Sequence, residues 1–451
     1  MPKSSKISIT LLSIIFLLLL LVLSEGYLFA MPRVQRRVLP NRLVLLVVED
    51  HSLPLVTLRL LIDGGSRLDP SGKWGLANLT AKGLLLGTST QSVTTFREAL
   101  DFMGASLSAS INRDTTVLGL RVLKKDLDRG IDLLMEAITQ PIFPEEEIQR
   151  EVEKTIAAIQ SAEEQPGVVA RKAFRKTLFS GNPYGHPLEG TKESLPEITR
   201  KEIFQFHRTY HHPNNAILAV VGDITSEEVE AKLTPRLSQW PPAEIPQESF
   251  TATFAKEAET LMINRNITQA NIVFGHKGIS RGNPDYYALS VMNYIFGGGG
   301  FGSWLFENIR VKRGLAYSVT SYFEPTKYPG SFQIVFQTQN ASAREAISVI
   351  RDLMDRIRNE RVSQEELERA KKYLIGSFPL RLDTQSKLAR FITQIEYYGL
   401  GLDYPERYPS LINAVSREEV RRVAKSYLHP EKAILVVVAN LKEAGMNGPT
   451  R

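Results

Sequence analysis

The feature that most constrains this chain is an internal repeat. The stretch "TYHHPNNAILAVVGDI", beginning at Thr209, returns as "SYLHPEKAILVVVANL", beginning at Ser426. Tyr210, His212, Pro213 and the run Ala216-Ile217-Leu218 reappear as Tyr427, His429, Pro430 and Ala433-Ile434-Leu435, each displaced by 217 residues. Upstream, "EEIQRE" at Glu146 matches "EELERA" at Glu365, at an offset of 219. A register held over such a distance reads as a duplication, and it governs how every element is assigned. At 451 residues the chain is too long for one ordinary core. Two copies of one unit resolve that.

The halves read alike in coarse structure. Leu43 to Val48 and Leu55 to Ile62 are aliphatic and β-branched, which predicts two strands of one hairpin. Helices are expected from about Gly75 and from Val93 to Met103, with a strand at Thr115. A long helix follows Pro144, its acids placed early where the helix dipole favours them. The second half repeats this order, with strands near Ile272 and from Gly330 to Thr338, and helices at Asp285, Ala341 and Gln364. The expected class is α+β, two homologous repeats, each a mostly antiparallel sheet with helices packed on one face. "WPPAEIPQES", residues 240–249, reads as the linker between a domain at 33–239 and one at 250–445.

Residues 1–30 stand apart. Lys3 and Lys6 precede an apolar run from Ile7 to Leu23, and the small residue Ala30 follows. That pattern fits a secretory signal, and the run is also close to the roughly 20 residues a membrane-spanning helix needs. Arg33, Arg36 and Arg37 on the far side leave cleavage and anchoring both open. Either outcome exports the folded part, to the periplasm or to the outer side of the inner membrane, with membrane contact through this segment alone. There is no cysteine, which excludes disulfides, thiolate catalysis and Cys-ligated zinc. The net charge of +6 is dispersed among acids, so the Lys and Arg residues read as solvated helix faces and not as a nucleic-acid surface.

Three stretches carry a family resemblance: "GGSRLDPSGKWGLANLTAKGLLLGT", "NPYGHPLEGTKESLPEIT" and "YHHPNNAILAVVGDIT". Together they resemble the insulinase/pitrilysin (inverzincin) metallopeptidases, which include the mitochondrial processing peptidases. The likeness runs from about Arg37 to about Leu441 and implies a fold of the processing-peptidase or LuxS-like type. In active members the first of these helices carries H-x-x-E-H: two His one turn apart bind zinc, and the Glu polarises its water. A distal Glu on a later helix completes the ligand set. On this chain the two His fall at Asn78 and Lys82, the catalytic Glu at Ala81 and the distal Glu at Ala158. Asn is a poor zinc ligand, Ala is none, and an ammonium repels a dication. The resemblance therefore implies no catalytic residue, metal or cofactor in this chain, and a member of a metalloendopeptidase family that is not an enzyme on its own.

Other candidates are weaker. His207 and His211 stand four apart but have no carboxylate at ligand spacing, and read as surface histidines at a helix end. His186 reads as structural, and Glu151 and Glu153 as solvated helix acids. Gly297 to Gly300 lack a following G-K-[ST], so they read as a close-passing turn and not a phosphate loop.

One family motif survives intact. "RVKRGLAY" places Arg310 and Tyr317 where relatives carry an Arg/Tyr pair that holds the substrate backbone and faces the zinc helix. Some relatives work as pairs in which one subunit keeps the zinc motif and the other has lost it. The resemblance thus implies a substrate-binding subunit that encloses peptides, zinc residing in a related partner with intact H-x-x-E-H. Two alternatives remain at this stage: an inactive peptide-binding scaffold without a protease partner, and an active zinc endopeptidase using non-standard ligands.

Overall fold

The computed structural model describes residues 32–247, 253–255 and 257–446. The apolar run from Ile7 to Leu23 and its reading as signal or anchor lie outside these residues. Among the described residues no helix is long and apolar enough to cross a membrane.

The first half contains β1 (Gln35–Val38), β2 (Val44–Glu49), β3 (Leu55–Ile62), α1 (Leu76–Gly83), α2 (Val93–Phe102), β4 (Ser106–Ile111) and β5 (Thr116–Leu123). It continues through α3 (Leu127–Thr139), α4 (Glu145–Glu163), α5 (Pro166–Leu178), α6 (Arg200–Tyr210), β6 (Ala216–Gly222), α7 (Ser226–Lys232) and α8 (Thr234–Leu237). The second half contains β7 (Glu259–Asn264), β8 (Gln269–Lys277), α9 (Tyr286–Asn293), β9 (Ala316–Glu324) and β10 (Ser331–Gln339). It ends with α10 (Ala343–Asn359), α11 (Gln364–Gly376), α12 (Gln385–Tyr397), α13 (Tyr404–Asn413), α14 (Arg417–Tyr427) and β11 (Ile434–Ala439).

Two sheets result, ordered β1-β2-β6-β3-β5-β4 and β7-β11-β8-β10-β9. The α+β class and the duplication both hold: β2–β6 and β7–β11 are the parallel pairs, and the remaining neighbours run antiparallel. One expectation fails. β2 and β3 do not form a hairpin, because β6 inserts between them, Leu46 pairing with Ala219 and Leu60 with Leu218. The apolar runs "VLLVV" and "AILAVV" explain why. Strands buried on both faces lack alternation and need a partner on each edge.

The two faces of the first sheet bury different helices. Val56, Leu58, Leu60 and Ile62 join Leu76, Leu79, Ile131, Ile148 and Ile203 in one core, beneath the helices of their own half. On the opposite face of β3, the Thr57 hydroxyl donates to Gln385 Oε1 (3.4 Å) and Arg59 Nε donates to Thr393 Oγ1 (3.3 Å). Helix α12 of the second half therefore covers that face. The exchange is mutual: Ala170, Phe174 and Leu178 of α5 pack with Val273, Ile434, Val436 and Val438 of the second sheet. Each sheet is closed by a helix that the other half contributes.

Polar contacts pin the two halves together. The Asp63 carboxylate accepts from Arg67 (2.6 Å), Lys327 Nζ (2.5 Å) and the Tyr397 hydroxyl (3.0 Å). Asp114 accepts from the Tyr184 hydroxyl (2.5 Å) and from the Lys327 backbone N–H (3.0 Å). Residues 241–247 adopt no regular element, while Trp240 just before them is buried and donates its indole N–H to the His211 carbonyl at 3.1 Å.

Candidate functional site

Helix α1 begins at Gly75, whose φ of 98° suits glycine, and a Cβ there would meet the Glu189 carbonyl oxygen at 2.8 Å. Asp69 caps the turn, its two carboxylate oxygens accepting the Gly75 and Ala77 N–H groups at 2.8 Å each. Burial pushes the Asp69 carboxyl up to about 7, against the pull of those two hydrogen bonds. His186 stacks on Trp74 beside this cap, ring planes 8° apart, and gives its Nδ1 to the Pro187 carbonyl (3.0 Å). The loop histidine is structural, as its sequence context implies.

The cap sets the rotation of α1. Leu76, Ala77, Leu79, Thr80, Ala81 and Gly83 turn inward, leaving Asn78 and Lys82 one turn apart on the half-exposed face. Lys82 Nζ donates to Glu151 Oε1 at 2.6 Å and to Thr155 Oγ1 at 3.1 Å, both on α4. Glu151 is thus not a solvated acid, as expected from its neighbours in sequence: its side chain is only 14% exposed and answers the Lys82 charge. Glu151, Thr155 and Ala158 lie along one stripe of α4, with Ala158 exposed at its end.

These residues do not fit zinc. The four positions offer one amide, two methyl groups and an ammonium that already holds the nearest carboxylate. Among the described residues no three His, Cys, Asp or Glu side chains gather as a metal-holding group. His207 and His211 are not surface histidines. His207 donates Nε2 to the Ile138 carbonyl (2.7 Å), and His211 is 1% exposed with neither ring nitrogen bonded. Burial drives the His207 imidazole down to about 4 and His211 further below its usual value. Side-chain type misled here, because α6 turns this pair toward the core.

The second group forms in the other half. Asn293 ends α9 and two π-helical turns follow, Tyr294–Gly298 and Phe306–Val311. Such turns are uncommon and often accompany function. The first presses against β9: a Cβ on Gly297 would meet Ser321 Oγ at 2.4 Å and Leu305 Cδ1 at 2.5 Å. Ser321 in turn donates to Asn293 Oδ1 (2.7 Å). The second turn carries Arg310, whose guanidinium lies 4.5 Å from the Tyr317 ring centre and 4.8 Å from that of Phe306. Phe301 flanks it at 5.9 Å. Tyr317 and Phe301 are 81% and 80% exposed, although they are large and largely apolar. Arg310 has no hydrogen bond or ion pair from its guanidinium among the described residues, nor does any such contact join it or Tyr317 to α1 or α4. The structure therefore gathers the predicted residues into two separate groups.

Sequence reasoning missed Glu151 and Thr155 as the partners of Lys82. The usable signal was a lysine at a metal position, which needs a counter-charge on the facing helix. It also missed Phe301 and Phe306 as walls for the guanidinium, where only the aromatic spacing hinted at a role.

Two family signatures match this chain. "Insulinase (Peptidase family M16)" covers residues 44–192, and "Peptidase M16 inactive domain" covers residues 197–374. The chain belongs to the M16 insulinase family. It is a degenerate, non-catalytic M16 member, consistent with its altered zinc helix and with its relatives. The "Non-peptidase homolog YmxG" of Helicobacter pylori is 27% identical over 88% of this chain and 91% of its own length. A probable mitochondrial-processing peptidase subunit beta of Arabidopsis thaliana is 25% identical over 93% of this chain and 81% of its own. The crystal structure of a peptidase M16 inactive domain from Pseudomonas fluorescens superimposes with a TM-score of 0.85 at 26% identity, over 93% of this chain and 99% of that one.

Proposed function

We propose that this chain is the non-catalytic, substrate-holding subunit of a heterodimeric zinc endopeptidase acting outside the cytoplasm, exported by the segment at residues 1–30. Its companion is a related two-domain chain with intact H-x-x-E-H, which holds the zinc. This chain encloses peptide or unfolded polypeptide and presents Arg310 and Tyr317 to the companion's metal site. The observation that carries the reading is the state of Arg310: oriented by Phe306 and Tyr317, yet without an acceptor of its own. A guanidinium held this way offers a preformed fork of donors to a peptide carbonyl and to the oxyanion that develops on it, and the Tyr317 hydroxyl supplies one more. A donor aimed at developing charge contributes on the order of 10²–10³ in kcat.

Mixing tests the proposal. The chain alone cleaves no peptide, and adding the companion gives cleavage. Arg310→Ala in this chain lowers kcat of the mixture about 10²-fold while the two chains still associate. An unchanged rate refutes the role given to Arg310. The name of the Helicobacter relative favours a second reading, a peptide-binding scaffold without a protease. Under that reading peptide binds the chain, but no M16 companion co-purifies.

A further inference from the structure

We infer that the second half binds a compact phosphate-type oxyanion between α10 and α14. A cavity of about 280 Å³ opens there, lined by Arg358, Asn359, Glu418, Arg421, Arg422 and Lys425. Four cations face a single carboxylate. The acids nearby are already engaged. Glu418 pairs with Arg361 at 3.1 Å, and Asp285 takes both terminal nitrogens of Arg422 at 2.6 and 3.1 Å. Asp355 and Glu431 hold Arg358 Nη1 at 3.0 and 3.8 Å.

What remains is positive charge without an answer. Among the described residues no ion pair or hydrogen bond compensates Arg421 or Lys425. They stand one turn apart on α14, where like charges repel. Arg358 Nε is buried without an acceptor, and a buried donor left unpaired is unfavourable. An oxyanion in the cavity relieves the repulsion between Arg421 and Lys425.

The fold itself does not require the charges of Arg421 and Arg422, whereas Lys425 has a cationic counterpart in the first repeat. In the first repeat the positions 217 residues earlier are Phe204, Gln205 and Arg208. Phe204 packs edge-on against Phe143 with ring centres 4.9 Å apart. The duplication kept the helix and changed its face. Arginine forks match the oxygens of phosphate and can engage two at once, which favours a multivalent oxyanion over a lone carboxylate. The volume holds a phosphate or diphosphate with some water. A free phosphate compound and the phosphate of an anionic lipid headgroup share this chemistry.

The test uses the full chain at low ionic strength, where exposed charges are least screened. Pyrophosphate is titrated by calorimetry, and co-sedimentation is measured with vesicles of phosphatidylglycerol and of phosphatidylcholine. The double variant Arg421→Glu/Lys425→Glu is compared with Lys154→Glu, a single exposed reversal on α4, and all three proteins are first shown to melt alike. Pyrophosphate binding weakened about tenfold or more by the double variant, and little by Lys154→Glu, supports a free phosphate ligand. Binding confined to phosphatidylglycerol vesicles and lost in the double variant supports a headgroup. Binding of neither probe, or equal binding by wild type and double variant, overturns the inference.

Discussion

Replacing Lys82 by Met keeps the unbranched stem of the side chain and removes its charge. The ammonium lies 2.6 Å from Glu151 Oε1, with side-chain exposures of 36% for Lys82 and 14% for Glu151. Exposed ion pairs contribute about 0–1 kcal/mol, and breaking a buried pair costs about 3–5 kcal/mol. This pair is intermediate, and the charge stranded by the substitution is the less exposed one, so Lys82→Met is expected to cost about 1.5 kcal/mol. The described residues from Val34 onward form one compact unit. Melting as one, a unit of that size has an unfolding entropy of about 0.9 kcal/mol per kelvin, which makes the loss about 2 °C in Tm. Glu151→Gln costs less, because the lysine it abandons can turn to water. Calorimetry on both single variants and the double closes a cycle with a coupling of about 1 kcal/mol. Strict additivity, or a Lys82→Met protein as stable as the parent, would refute the claim that this pair joins α1 to α4 where relatives use a metal.

Two further outcomes follow from the same structure. His207 and His276 are held near 4 by burial, against about 6.5 when unfolded. Their neutral forms therefore stabilise the fold above pH 6.5, and that stability drains as pH falls toward 4, by about 2 kcal/mol for each at pH 5. Protonation of Asp69, held near 7, offsets about one of the two histidines over the same range, so Tm should drop modestly between pH 7 and pH 5 and more steeply in Asp69→Asn, where a flat profile would contradict the burial of the histidines. Gly297→Ala forces a Cβ into Ser321 and Leu305, costs about 1–3 kcal/mol, and lowers cleavage by the two-chain mixture without touching substrate. An activity and Tm equal to the parent would show that the turn does not hold the Arg310 region in place.

The duplication was legible because a fixed offset needs no structural knowledge, and so were the helices, whose caps and periodicity are local. Pairing partners were not. Nothing between Asp50 and Pro54 announces that β6, far along the chain, separates β2 from β3. Apolar runs showed burial on both faces without naming the neighbour. The exchange of α5 and α12 escaped for the same reason: an amphipathic helix records that it is covered, not by which half. In the site, the family resemblance located the lost zinc positions, and the residue types standing there then spoke against a metal. The answering carboxylate of Glu151 could not, since helix spacing puts it one stripe among several until α4 is docked against α1. The burial of His207 and His211 was hidden by the ordinary preference of histidine for partial exposure.

The account stands on a division of labour between two chains, and zinc counting tests it most directly. The full chain and its companion, purified separately, are equilibrated with zinc, freed of loosely held metal and measured by elemental analysis. The expected result is one zinc on the companion, none held stoichiometrically by this chain, and one per assembled pair. One tightly held zinc on this chain alone, displaced by a chelator together with peptide cleavage, would contradict it.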